Sequence, residues 1–96
     1  MHYVYILQCA DGSYYVGMTN NLERRLAEHE EGFDPNSYTY SRRPIQIRWS
    51  ESFQSPMAAI NVEKQLKGWS RKKKEALIDD NYSLLPKLSK SKPSAK

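Results

Sequence analysis

The sequence predicts a single α+β domain with the element order β-β-α-β-α-α. Three observations lead there. Two segments rich in β-branched and aromatic residues, Tyr3–Cys9 (YVYILQC) and Tyr14–Met18 (YYVGM), stand close together in the chain. A later segment, Ile45–Phe53 (IQIRWSESF), alternates apolar with polar residues as a half-buried strand does. The stretches with helical spacing each begin at a polar side chain able to cap a helix.

The first two strands are joined through Ala10-Asp11-Gly12, and the length of this loop decides what faces what. A three-residue loop with Gly12 in the left-handed conformation makes a type I turn plus G1 bulge. Cys9 then opposes Ser13, Leu7 opposes Tyr15 and Tyr5 opposes Gly17, so Tyr5 and Tyr15 become diagonal neighbours on one sheet face. A two-residue loop would set them on opposite faces. Gly12 in third place favours the first arrangement.

Asn20 is the expected cap of the first helix, with Glu23 completing a capping box, and the helix runs to about Glu30 before Gly32. Leu22 and Leu26 form its apolar stripe. Arg25 and His29, four residues apart, share a face beside that stripe. Residues 33–44 (FDPNSYTYSRRP) form a loop punctuated by Pro35 and Pro44. After the third strand, Ser55-Pro56 opens a second helix that reaches about Lys67, with Gly68 just past its end. Ala59, Val62 and Leu66 are its buried stripe and Glu63 stands on the shoulder of that stripe. Ser70 caps a third helix to about Asp79, whose opening turn Arg71-Lys72-Lys73-Lys74 sets like charge against the positive end of the helix dipole. A phosphate lying across that start would turn the cost into a gain.

The 96 residues suffice for one compact domain, taken here as 1–82, followed by a basic, Lys/Ser/Pro-rich tail at 83–96 expected to be disordered. Cys9 is the only cysteine, which excludes an internal disulfide and a Cys-based zinc site. No apolar run has the length of a membrane span, and the opening residues read as a strand without a basic leader, so a cytoplasmic protein without membrane partners is expected. The net charge is +4 and unevenly spread. Residues 1–41 carry two basic side chains, Arg24 and Arg25, against six acids, whereas residues 42–74 carry nine against Glu51 and Glu63. That asymmetry suits a polyanionic partner, although a charge run is usually a solvated face.

Tyr5, Tyr15, Arg25 and Glu63 are polar or ionisable groups set beside core-facing positions. Helices covering the tyrosine face would bring all four together. The combination makes sense for phosphodiester hydrolysis. A lone carboxylate can hold one hard divalent cation, the cation and an arginine stabilise charge on the phosphoryl oxygens, and a tyrosine can relay the proton of the attacking water. Each residue also has a plain structural alternative. The tyrosines can be packing residues with their hydroxyls at the rim. Arg25 can snorkel over Leu22 and Leu26, Glu63 can pair with Lys67, and His29 can be a surface residue. Tyr38, Tyr40, Arg42 and Arg43 interleave aromatics with arginines, a pattern that suits stacking and phosphate contact as well as a solvated loop. Trp69 reads as core.

The order and spacing of these residues carry a resemblance. Tyr3-Val4-Tyr5 is followed by Tyr15-Val16-Gly17, then by Asn21-Leu22-Glu23-Arg24-Arg25-Leu26 with Arg25 ten residues after Tyr15. Arg42-Arg43-Pro44 and Glu63-Lys64-Gln65-Leu66-Lys67-Gly68-Trp69-Ser70-Arg71 complete the set. Over about residues 2–80 the chain resembles the GIY-YIG nuclease superfamily, in particular its small single-domain UPF0213-type members. The resemblance implies a three-stranded antiparallel sheet flanked by helices and a one-metal hydrolytic mechanism using Mg²⁺ or Mn²⁺. It implies Tyr5 as preferred general base with Tyr15 in positioning or proton relay, an ambiguity between the two that stays open. It further implies Arg25 at the transition-state phosphate, His29 assisting at the phosphate or leaving group, and Glu63 as metal ligand. Tyr40, Arg42, Arg43, Lys67, Arg71, Lys72 and Lys73 are the candidate nucleic-acid contacts. Tyr3 replaces the glycine of the first motif, and Met18 stands where some relatives have a lysine. Relatives include the incision subunit of nucleotide excision repair, homing endonucleases and structure-selective resolvases, many with an extra DNA-binding domain.

The expected function is a metal-dependent endonuclease acting on DNA in preference to RNA, structure-selective and linked to repair or recombination, with a protein partner as a further source of specificity. The competing reading is a nucleic-acid-binding module of the same fold that cleaves weakly or not at all. A protein-interaction domain with an incidental basic face ranks third.

Overall fold

The computed structural model describes residues 1–79, so the tail expected at 83–96 and its boundary lie outside the described residues. The elements are β1 (His2–Gln8), β2 (Tyr14–Thr19), α1 (Leu22–Glu31), a short 3-10 turn (Tyr40–Arg42), β3 (Gln46–Phe53), α2 (Pro56–Lys67) and α3 (Arg71–Ile78). The strands form one antiparallel sheet in the order β2-β1-β3. The architecture is the α+β arrangement that the sequence predicts.

The β1–β2 connection follows from its loop length. Gly12 has φ of 88°, its N–H donates to the Cys9 carbonyl at 2.9 Å, and the Cys9 N–H donates to the Ser13 carbonyl at 2.8 Å. An L side chain is disfavoured at that φ, and glycine is not. Tyr5 therefore pairs with Gly17 and Leu7 with Tyr15, the register that keeps both tyrosines on one face. Two arginines hold this turn from outside. Arg71 donates through Nη1 to the Gly12 carbonyl at 2.8 Å, and Arg42 stands 3.3 Å from the Asp11 carboxylate.

β1 is the central strand and is buried on both sides from Val4 to Leu7. Alternation along the strand splits these residues between two cores. Val4, Ile6 and Val16 pack with Ala59 and Leu66 of α2 and Leu77 of α3. Tyr5, Leu7, Cys9 and Ile45 pack with Leu22 and Leu26 of α1. Each fully buried aliphatic side chain contributes about 1.5–3 kcal/mol relative to exposure. A single helical layer could cover only one of these faces.

Two expectations are corrected here. The helices do not all cover the tyrosine face: α1 lies there, but α2, which carries Glu63, packs on the opposite side. The wholly apolar stripe of Ala59, Val62 and Leu66 matches the aliphatic Val4–Ile6–Val16 face. The cap of α1 is Asn21 rather than Asn20. Its side chain accepts from the Arg24 N–H at 3.1 Å, and Thr19 Oγ1 accepts from the Asn21 N–H at 3.0 Å, holding the approach extended. Three residues beyond this cap stands Arg24, so no capping box forms. Glu23 instead sits in the first turn, where its charge favours the helix dipole. Ser55 and Ser70 cap α2 and α3 as expected, accepting from Ala58 N–H and Lys73 N–H, each at 3.2 Å.

Candidate active site

The site is built around the Tyr5 phenol. Its ring extends across Gly17, the residue opposite it on β2, so closely that a Cβ at position 17 would collide with the hydroxyl. The glycine thus lets a buried core tyrosine, 1 % exposed, aim its hydroxyl across β2. There the hydroxyl meets His29 Nε2 at 3.1 Å. His29 comes from the last turn of α1 and is buried, contrary to the surface position an isolated histidine suggests. Its other nitrogen, Nδ1, lies 2.8 Å from Thr39 Oγ1, and the Thr39 hydroxyl lies 3.1 Å from Ser37 Oγ.

Tyr15 closes the second side. Its ring centroid is 6.4 Å from that of Tyr5 and 5.4 Å from His29, which it meets edge-on. Its other neighbour is Tyr38, stacked at 5.9 Å with 19° between planes. The Arg42 guanidinium lies 3.9 Å from the centroid of the Tyr38 ring and continues to Asp11. An aromatic and cationic stack therefore runs from the site to the β1–β2 turn.

Arg25 provides the positive charge. Its guanidinium stands beside the Tyr5 phenol and donates through Nη1 to Glu28 at 2.9 Å. One turn of helix separates Arg25 from His29, which is why both reach the same tyrosine. Glu63 is carried by α2, the helix that packs on the opposite sheet face. It is half-buried, with its side chain 21 % exposed, and pairs with Lys67 at 3.2 Å, the i,i+4 partner the sequence offered as its alternative. Its charge nonetheless bears on Tyr5.

These neighbours set the proton affinities. Burial, and then the adjacent Tyr15, push the Tyr5 phenol up to about 12; the neighbouring Arg25 guanidinium pulls it down, and Glu63 adds a further push upward. Burial and the Arg25 charge lower His29, with Glu28 opposing. At neutral pH His29 is therefore a neutral imidazole with one nitrogen free to accept.

The remaining candidates fall into two groups. On the loop, Tyr40 is partly exposed with Arg43 above its ring at 4.8 Å, and Arg43 also donates to the Tyr40 carbonyl at 2.9 Å. Arg42 donates to the Tyr38 carbonyl at 2.7 Å. On the α2–α3 side, Lys67 and Arg71 are engaged by Glu63 and Glu75, Lys73 lies 5.6 Å over the Trp69 ring, and Lys72 is exposed. Trp69 packs against the α2 core, as its reading as a core residue anticipates. The Arg71–Glu75 pair at 3.0 Å offsets part of the charge at the start of α3.

Thr39 and Ser37 escape sequence reasoning. They sit in a polar loop where no periodicity marks a buried side chain, yet Thr39 is 1 % exposed. Tyr38 is visible as a loop aromatic, but its stack on Tyr15 is not.

Glu63 is the carboxylate that could take part in holding a divalent ion. Among the described residues no three His, Cys, Asp or Glu side chains gather into a closed cage. One half-buried carboxylate, with water and phosphate oxygens completing the shell, is how Mg²⁺ and Mn²⁺ are commonly held, and Glu63 would be that ligand.

Comparison with known proteins identifies the family. The family model described as the GIY-YIG catalytic domain matches residues 1–76. A UPF0213 protein of Halobacterium salinarum is 47% identical over 78 residues, covering 81% of this chain and 100% of the relative. One from Bacillus pumilus is 43% identical over 79 residues, covering 82% of this chain and 80% of the relative. The solution structure of a UPF0213 protein from Bacillus halodurans has a TM-score of 0.56 at 37% identity, covering 99% of this chain and 98% of that one. A solution structure from E. faecalis has a TM-score of 0.59 at 39% identity, covering 83% and 84%.

Proposed function

Because the chain belongs to the GIY-YIG family, we propose that it is a divalent-metal-dependent endonuclease that hydrolyses phosphodiester bonds, in DNA in preference to RNA. The carrying observation is the meeting of Tyr5, Tyr15, Arg25 and His29 at one point, with the Glu63 charge felt there from the other face. Family membership supports nucleic acid as the partner. The choice of DNA, selectivity for branched or damaged structure, a role in repair or recombination, a cytoplasmic location and a specificity-giving protein partner are extensions of the same reading. Among the described residues no helix is long and apolar enough to cross a membrane.

In this mechanism the Tyr5 oxygen takes a proton from the attacking water, and Tyr15 keeps the Tyr5 ring in place. Arg25 exchanges its Glu28 partner for a phosphoryl oxygen and stabilises the charge that grows there. Glu63 would exchange Lys67 for a divalent ion, which when bound would supply Lewis-acid stabilisation of the charge growing on the phosphate. Tyr40, Arg42, Arg43, Lys67, Arg71, Lys72 and Lys73 are offered as contacts to the strands on either side.

The test is cleavage of linear, nicked, forked and single-stranded DNA and RNA with Mg²⁺ or Mn²⁺, with Glu63→Ala and Arg25→Ala as controls. Cutting that survives both substitutions would belong to a contaminant and end the proposal. A second reading, binding without cleavage, is favoured by one observation: Glu63 and Arg25 both have intramolecular partners, at 3.2 and 2.9 Å. Salt-sensitive binding without cutting on any substrate would select it.

A further inference from the structure

We propose that Thr39 is a positioning residue that holds His29 in the Nδ1–H form, making His29 Nε2 the acceptor for the proton that Tyr5 passes on. The inference rests on the nuclease reading for its catalytic half and on geometry alone for the rest.

Relative acidity sets the direction of the chain. Of the two hydroxyls that face the His29 ring, the phenol is much the more acidic and so the better donor, while the threonine hydroxyl is the better acceptor. The Tyr5 O–H therefore donates, and its neighbour is His29 Nε2 at 3.1 Å. A neutral imidazole that accepts at Nε2 carries its hydrogen on Nδ1, and Nδ1 faces Thr39 Oγ1 at 2.8 Å. Thr39 accepts there and directs its own hydrogen to Ser37 Oγ at 3.1 Å. Tyr5, His29 and Thr39 are 1 %, 3 % and 1 % exposed, so bulk water does not compete for these bonds. The charged and titratable groups facing His29 are Tyr5 from β1, Tyr15 from β2, and Arg25 and Glu28 from its own helix.

The chain gives His29 work other than contact with the phosphate or leaving group. As the water oxygen forms its bond to phosphorus, one water O–H breaks and that proton passes to the Tyr5 oxygen. The Tyr5 proton moves to His29 Nε2 in the same step. The P–O bond to the leaving oxygen breaks with its electron pair, and that oxyanion takes a proton from solvent. On turnover the His29 imidazolium returns its proton through Tyr5 to the water that refills the site, the reverse of the path by which it came. Tyr5 ends as it began and is at no point required to stand as a free phenolate. That suits a buried phenol whose neighbourhood disfavours ionisation.

The full chain, ¹⁵N-labelled and metal-free, reports the tautomer directly through its imidazole nitrogen shifts. The wild type is expected to show the Nδ1–H form of His29 at neutral pH. Thr39→Val keeps the side-chain shape, removes the acceptor, and moves the signal toward the other tautomer. Thr39→Ser restores it. In cleavage assays Thr39→Val lowers kcat about tenfold or more while KM holds, and Thr39→Ser recovers most of the loss. An Nε2–H or doubly protonated His29 in the wild type overturns the assignment. So does a Thr39→Val protein, folded by its amide spectrum, with an unchanged tautomer. A wild type that cuts nothing yet shows the Nδ1–H form removes the catalytic half together with the nuclease reading, while the Thr39 assignment stands on the spectrum.

Discussion

The hydroxyl end of the Tyr5 ring lies against Gly17, its partner on the neighbouring strand, leaving no room for a Cβ at that position. The second motif's glycine is thus a matter of space for the first motif's tyrosine. Gly17 is in a strand with ordinary backbone, so the constraint is steric and not conformational. Gly17→Ala is expected to push the Tyr5 hydroxyl off His29 and to destabilise the fold by about 1–3 kcal/mol, the usual range for overpacking a filled site. Urea unfolding measures it. An unchanged midpoint would show that the ring is free to move aside.

The cap of α1 separates two adjacent asparagines. Asn21→Ala removes the acceptor for Arg24 N–H and is expected to cost about 1 kcal/mol. Asn20→Ala, at an exposed bend before the helix, stays within about 0.5 kcal/mol. Thermal melts of the two variants compare them, and equal losses would contradict the observed cap.

The buried His29–Tyr5 pair makes stability depend on pH at both ends. His29 has a folded pKa below its unfolded value, so below about pH 6.5 the unfolded chain binds the extra proton first. Stability contributed by the neutral imidazole is therefore complete above that pH and falls as the solution is acidified toward the folded pKa. Tyr5 works in the opposite sense. With its folded pKa near 12 against 10.0, the unfolded chain loses the phenolic proton first, and stability falls as pH rises above about 10. Denaturation profiles of His29→Gln and Tyr5→Phe should each flatten one limb relative to wild type. A His29→Gln profile as steep as wild type between pH 7 and 5 would argue against a buried neutral histidine.

Glu63 should matter to chemistry far more than to folding. Its pair with Lys67 is half exposed and of the i,i+4 kind, worth about 0.3–0.5 kcal/mol. Glu63→Gln is expected to leave the unfolding midpoint nearly unchanged while lowering cleavage about a hundredfold or more. Measuring both on one preparation separates the two roles. A large loss of stability with a proportionate loss of cutting would mark Glu63 as structural.

The legible part of this protein is local. Strand and helix order, the caps at Ser55 and Ser70, and the Tyr5–Gly17 register follow from residue types a few positions apart, because turn geometry and helix ends are governed by their immediate neighbours. Arg25 and His29 share a helix face for the same reason. The shared sheet face of the two tyrosines and the shared helix face of Arg25 and His29 were therefore readable from spacing, while the meeting of those two faces was not.

By itself the sequence determined the helix faces and the family to which the motifs belong, and it favoured the hairpin register that the structure adopts. Only the tertiary structure decided which sheet face each helix covers, that Thr39 is buried against His29, and that Tyr38 stacks on Tyr15. The physical reason is that these depend on burying both faces of β1 at once. That burial joins residues as far apart as Tyr5 and His29, or Gly12 and Arg71, whose meeting no local spacing specifies.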